Sequence, residues 1–242
     1  QPPPNYFSKN AKLNKMGYES IDTVMERGAR ALSPREFEVA ANETAALVLD
    51  VRSKEAFVKG FIPNSIFIGL DGSFAPWVGA LIADIKQPIL IVAPKGKNKE
   101  VVKRLARVGY DNAIGYLEGG FEAWEAAGKE IDELTTLDGA SFIEAYHEEM
   151  NILDVRRPSE HSAEHLEIAQ NLVLDTINAH MSEISKEKKY YVHCRTGYRS
   201  TIATSILRAR GFKNLVNLHA TFEEMAASKI PTTVFVCPST LK

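Results

Sequence analysis

The tetrapeptide Leu-Asp-Val-Arg stands twice in this chain, within ALVLDVRSKEAF at 46–57 and within MNILDVRRPSEH at 150–161. Its surroundings repeat with it. LSPREFEV at 32–39 and LDGASFIE at 137–144 precede the two copies and read as short helices, with Ser33 or Asp138 as cap, Pro34 suited to a first helical position, and Phe37 and Phe142 at matching places. Downstream, PILIVAPKGKNKEVVKRLARVGYDN at 88–112 parallels KYYVHCRTGYRSTIATSILRARGFKN at 189–214: an apolar strand, a polar glycine-containing loop, a helix, and a glycine-aromatic stop. GGFEAWEAAG at 119–128 then parallels ATFEEMAAS at 220–228. A period of about one hundred residues is too long for a solenoid and marks a duplicated domain.

In each copy, short β-branched runs alternate with helical patterns, which predicts an α/β fold: a mostly parallel sheet with helices on both faces. The helices expected at 101–108 and 201–209 space their apolar residues by three and four, as packing on a sheet requires. The boundary is expected in the charged stretch KEIDELT at 129–135, giving a lead-in over 1–31, a first domain over 32–131 and a second over 132–242. The lead-in is expected to be extended and to dock on the first domain.

Composition sets limits rather than a function. A formal net charge of −2 provides no general basic field for nucleic acid or an acidic membrane surface, so any anion must be held locally. No apolar run reaches the ~18–20 residues of a membrane helix, and QPPPNYFSKN lacks the layout of a signal peptide, so a cytoplasmic location is expected. Two cysteines, Cys194 and Cys237, are too few for a disulfide framework, and no metal-ligand cluster accompanies them; neither a metal nor an organic cofactor is expected.

Cys194 is the residue on which chemistry converges. The strand YYVH delivers it to the carboxyl end of the sheet, where open α/β folds bind their ligands. Arg195, Thr196, Gly197, Tyr198 and Arg199 then lead into a helix starting near Ser200. Such a loop turns backbone N–H groups inward, and the helix start adds further donors. Two arginines nearby favour thiolate over thiol, so Cys194 is expected to be a nucleophile, with Arg195 to Arg199 binding an anionic substrate. Asp154 and Arg156 are expected to form a supporting ion pair, together with Ser200. His193 is expected to pack, His161 and His165 to serve as caps or surface groups, and Cys237 to be a packed residue of the tail.

These features resemble the rhodanese family of sulfurtransferases, over about 200 residues in two tandem domains. The resemblance is carried by LDVR at 49–52 and 153–156, by the approximate F-x-x-G-[FH]-I-P-x-[SA]-I pattern at Phe57–Ile66, by LEGGFEAW at 117–124 and by CRTGYRS at 194–200. It implies a loop cysteine that takes a sulfane sulfur from thiosulfate or a low-molecular-weight persulfide, holds it as a persulfide and passes it to a thiol. A phosphate cradle of the C-x5-R kind needs arginine where this chain has Ser200, so the shorter loop ending at Arg199 suits sulfur better. A phosphatase or arsenate-reductase-like activity, and a non-catalytic scaffold, are the competing readings.

The first copy departs from the pattern. Its loop reads APKGKNK at 93–99, and matching Gly96 to Gly197 puts Ala93 where the nucleophile stands. Lys95, Lys97 and Lys99 read as a solvated turn. In the second copy, HATFEEM and SAEHLEIAQNL lack the usual glycines, so its substrate rim is expected to differ from the family pattern. The opening PPPNYFSKNAKLNKMGYES is similar to the connector that follows the metallo-β-lactamase-fold domain in persulfide dioxygenase–rhodanese fusions, which implies such a domain as an upstream partner.

Overall fold

The computed structural model of the chain describes residues 19–237. One compact unit ends at Glu133 and a second begins at Leu134. Most of the connector-like stretch at 2–20 lies outside the described residues.

In the first unit, five parallel strands, β1 (Ala31–Leu32), β2 (Leu47–Asp50), β3 (Ile66–Phe67), β4 (Ile89–Val92) and β5 (Ala113–Leu117), form one sheet in the order β1-β5-β4-β2-β3. Helix α1 (Ile21–Gly28) comes before the sheet, so the described end of the lead-in is helical rather than extended. Ser20 caps it by accepting the Thr23 N–H, and Val24 is buried. Gly28 sits so close to Val102 that a Cβ would fall 2.7 Å from its methyl carbon, which fixes the helix against the domain. Helix α2 (Pro34–Thr44) has a capping box at its start, Ser33 accepting from Glu36 N–H while Glu36 accepts from Ser33. Helices α3 (Lys54–Lys59), α4 (Phe74–Leu81), α5 (Asn98–Ala106) and α6 (Gly120–Ala126) complete the unit. Phe37, Leu90, Val92, Phe121 and Trp124 share one core cluster.

The second unit repeats the plan. Strands β6 (Thr136–Asp138), β7 (Ile152–Asp154), β8 (Ala169–Asn171), β9 (Tyr190–His193) and β10 (Leu215–His219) are all parallel and run in the order β6-β10-β9-β7-β8. The two sheets are therefore wholly parallel, where the sequence pattern predicts a mostly parallel arrangement. Around this sheet lie α7 (Gly139–Ala145), capped by Asp138, then α8 (Pro158–Ala163), the short α9 (Ile177–His180), α10 (Tyr198–Ala209) and α11 (Phe222–Ala226). Both sheets place a fully buried four-residue strand, β4 or β9, at their centre. Its carboxyl end opens onto the loop that differs between the copies.

Past α11 the chain turns back. Leu166 bridges Thr232 in antiparallel fashion, and the N–H groups of Thr233 and Val236 donate to the carbonyls of His165 and Ala163. This lays Val234, Phe235 and Val236 along the second unit with their side chains largely exposed. Cys237 is exposed too, against the expectation that it packs; the tail is held by backbone bonds and by the Thr233 hydroxyl, which accepts the His165 N–H.

Candidate active site

Cys194 directly follows β9 and is only 1% exposed. Its Sγ accepts the Gly197 N–H at 3.2 Å. Gly197 adopts φ 84°, a left-handed conformation open to glycine at little cost, and this lets the loop fold back over the sulfur. Two hydroxyls fasten the turn: Ser200 Oγ donates to the Gly197 carbonyl at 3.0 Å and Thr201 Oγ1 donates to the same oxygen at 2.8 Å. Ser200 is thus a buried brace of the loop. Helix α10 begins at Tyr198 without a side-chain cap, so its first-turn N–H groups stand at the loop.

The expected anion-binding arginines are already engaged. Arg199 grips Glu160 of α8 with two bonds, Nη1 at 2.6 Å and Nη2 at 2.8 Å. Burial pushes the Glu160 carboxyl up, but Arg199 more than offsets this and holds it below the ordinary carboxylate range. Arg195 bonds Glu223 through Nε at 2.9 Å and lies within 2.8 Å of it through Nη2, both side chains being mostly exposed. Thr196 is exposed and Tyr198 half-buried at the loop surface. Residues 194–200 are therefore together, with the two guanidiniums turned to glutamates on neighbouring helices.

Below the loop stands a polar post. Asp154 ends β7, fully buried, and receives Arg156 through Nε at 3.0 Å and Nη2 at 2.7 Å. Arg156 Nη2 also donates to the Glu164 carbonyl, and the guanidinium lies 3.8 Å over the Phe222 ring. Sequence reasoning anticipated this ion pair and missed what joins it. His161 donates from Nδ1 to Asp154 at 3.0 Å, because an ionised carboxylate only accepts. His165 stacks on His161 with centroids 3.7 Å apart and donates from Nδ1 to the His161 carbonyl. Burial pushes the Asp154 carboxyl up, yet the bonds from His161 and Arg156 outweigh it and hold the group well below the usual range.

His193 is wholly buried, as its packing role requires, but its Nε2 has no hydrogen-bond partner and stands 4.0 Å from Asp154. Burial lowers its pKa, so the ring is neutral at neutral pH. The signal for these histidines lay in the repeat itself: matching Asp154 to Asp50 sets His161 and His165 against Phe57 and Phe61, which stack 4.3 Å apart. Among the described residues no group of three or more His, Cys, Asp or Glu side chains is placed to hold a metal ion.

A cavity of about 490 Å³ adjoins the loop. Arg156, Glu160, Glu164, Arg195 and Glu223 contribute its polar wall, and Ala163, Phe222 and Phe235 belong to its apolar one. Cys194 lies next to Arg195, beneath the loop rather than in the wall. No helix among the described residues is long and apolar enough to cross a membrane.

Comparison with known proteins adds the family. The family model for the rhodanese-like domain matches twice, at residues 33–127 and 140–228. YrkF of Bacillus subtilis is 30% identical over 71 residues, 29% of this chain, and the chain spans only 38% of its length. A sulfurtransferase of Allochromatium vinosum is 30% identical over 84 residues, which cover 35% of this chain and 78% of that protein. Among solved structures, the thiosulfate sulfurtransferase of Pseudomonas aeruginosa aligns at TM-score 0.37 and 18% identity, covering 86% of this chain and 44% of that one. With two matched domains that between them take in most of its length, the chain belongs to the rhodanese family.

Proposed function

We propose that the protein is a sulfurtransferase that carries sulfane sulfur as a persulfide on Cys194. The observation that supports this best is the Gly197 N–H aimed at Sγ from a loop that precedes a helix start, in the one copy that has a thiol. In the first half-reaction the Cys194 thiolate attacks the outer sulfur of thiosulfate or of a low-molecular-weight persulfide. The donor's S–S bond breaks, its electron pair leaves with sulfite or with the carrier thiolate, and Cys194 holds the new S–S bond. In the second, an acceptor thiolate attacks that outer sulfur and returns Cys194 as thiolate. The loop amides and the α10 start stabilise the negative charge on sulfur at each stage. Asp154 and Arg156 brace the loop from below.

The membership of the chain in the rhodanese family and its likeness to a sulfurtransferase over 84 residues favour this chemistry over phosphate transfer. The same reading sets the protein in a reducing compartment such as the cytoplasm, where the thiol stays available. It also includes an upstream metallo-β-lactamase-fold domain as the source of persulfide chemistry, on the strength of the connector-like stretch at 2–20; the reading frame ahead of Gln1 tests that part.

Incubation with thiosulfate or glutathione persulfide, followed by intact-mass spectrometry, tests the carrier role. One sulfur atom is expected to add to the chain and to the Cys237→Ser variant, and none to Cys194→Ser. Absence of added sulfur on the unaltered chain with both donors overturns the proposal.

A further inference from the structure

The loop cysteine is flanked by two arginines, and neither is available to an incoming anion without first leaving a carboxylate. Arg199 is held by Glu160 and Arg195 by Glu223. Arg156, which also lines the cavity, is held by Asp154. Glu164 lines the same cavity and has no side-chain ion pair among the described residues. The wall beside the loop is thus a surface of paired charges with one carboxylate in excess, and a dianion meets repulsion there.

Size and lining point the same way. A cavity of about 490 Å³ is within the range of sites for organic ligands and far larger than thiosulfate requires. The apolar part of its wall, Ala163, Phe222, Ala226, Ala227 and Phe235, suits a methylene chain. Two of the carboxylates also accompany the thiol: at the places of Glu160 and Glu164 the copy without cysteine has Ala56 and Gly60, while Glu223 matches Glu122.

We propose that Glu160, Glu164 and Glu223 make this site select organic persulfides that carry an ammonium group on a short chain, over the dianion thiosulfate. The inference rests on the reading of Cys194 as sulfur carrier and names the substrate class for it. The chain's methylenes lie against the apolar wall, the ammonium meets Glu164 or Glu223, and the terminal sulfur reaches Cys194. Attack of the Cys194 thiolate on that outer sulfur then breaks the donor S–S bond and releases the aminothiol as thiolate.

Three donors separate the possibilities: the persulfide of cysteamine, that of N-acetylcysteamine, which has the same reach without the charge, and thiosulfate. The rate of sulfur loading on Cys194 is followed by quenched intact-mass measurement at low and high salt. Cysteamine persulfide is expected to load several-fold faster than its N-acetyl counterpart at low salt, with the gap closing as salt rises. Glu164→Gln, at a half-buried position, and Glu223→Gln, at an exposed one, are each expected to narrow the ratio by roughly threefold, in keeping with the strength of ion pairs near the surface. Glu223→Gln is also expected to speed loading from thiosulfate, because it releases Arg195. Equal loading of the two organic persulfides, or a ratio unmoved by both variants, overturns the selectivity and leaves the carrier role intact. Failure of all three donors to load Cys194 overturns both.

Discussion

Asp50 and Asp154 occupy the same place in two copies of one fold. Each is gripped by the arginine two residues on, and each arginine lies over a phenylalanine, Arg52 over Phe121 at 4.1 Å and Arg156 over Phe222 at 3.8 Å. The two carboxyls nevertheless shift in opposite directions: burial pushes Asp50 up in spite of Arg52, while Asp154 is held low. What differs is the neighbour. Phe57 stacks on Phe61 in the first copy, whereas His161 reaches Asp154 and stacks on His165 in the second. The Asp–Arg–Phe post is present in both copies, with and without a thiol. The imidazoles, Glu160 and Glu164 belong only to the copy with the thiol, whereas Glu223 has a counterpart in Glu122.

The largest effect expected from breaking this comparison concerns the nucleophile. Ala93→Cys, made with Cys194→Ser, gives the first copy a thiol at the end of β4. It is expected to remain without added sulfur after incubation with donor: Gly96 keeps the place of Gly197, but Asn98 and Lys99 stand where the second copy has Arg199 and the Ser200 hydroxyl that braces the loop. Loading at position 93 of this double variant to the level reached by Cys194 would mean that the copies differ in function by one atom alone. Adding Lys99→Ser restores the hydroxyl that braces the loop in the second copy and is expected to permit partial loading.

Next comes the post itself. Arg52→Ala leaves the buried Asp50 without its arginine, and Arg156→Ala leaves Asp154 to His161; they are expected to cost about 3–5 kcal/mol in their own domain, the first the more, read from urea unfolding. Both should destabilise, while only Arg156→Ala should slow sulfur transfer in the folded fraction. A marked loss of transfer with Arg52→Ala would show that the first copy has a part in the reaction.

The smallest effect is a slope with pH. Burial lowers the pKa of His193, so the unfolded chain takes up this proton at higher pH than the folded one. The contribution to stability is full above the unfolded value of about 6.5 and is lost as pH falls below it. The second domain is therefore expected to weaken between about pH 7 and pH 5, and His193→Val, which copies Val92 of the first domain, to flatten that decline in urea midpoints. An unchanged slope in His193→Val would assign the acid sensitivity elsewhere.

The parts of this molecule legible in its sequence are those with local causes. Ser33 and Asp138 cap the helices that follow them because a cap is decided within four residues. The repeat forecasts two α/β units because strand periodicity and loop glycines recur in step. Helix α1 is not legible, since a proline-rich start suggests an extended lead-in and the packing of Gly28 on Val102 is tertiary. The glutamate partners of Arg195 and Arg199 lie 28 and 39 residues away, so only the assembled sheet brings them to the loop. The two arginines can be read from the loop sequence, but the carboxylates that face them cannot.

The turn after β4 has a use of its own. Gly96 holds φ 78° with open space where a side chain would begin, and the buried post of Asp50, Arg52 and Phe121 is built on the end of β2 and on α6, apart from the turn. The first copy is thus a receptacle of set dimensions for foreign loops. A graft of matching length that keeps glycine at 96 would inherit a finished frame, and a reactive residue could be installed there while Cys194 served as its internal reference.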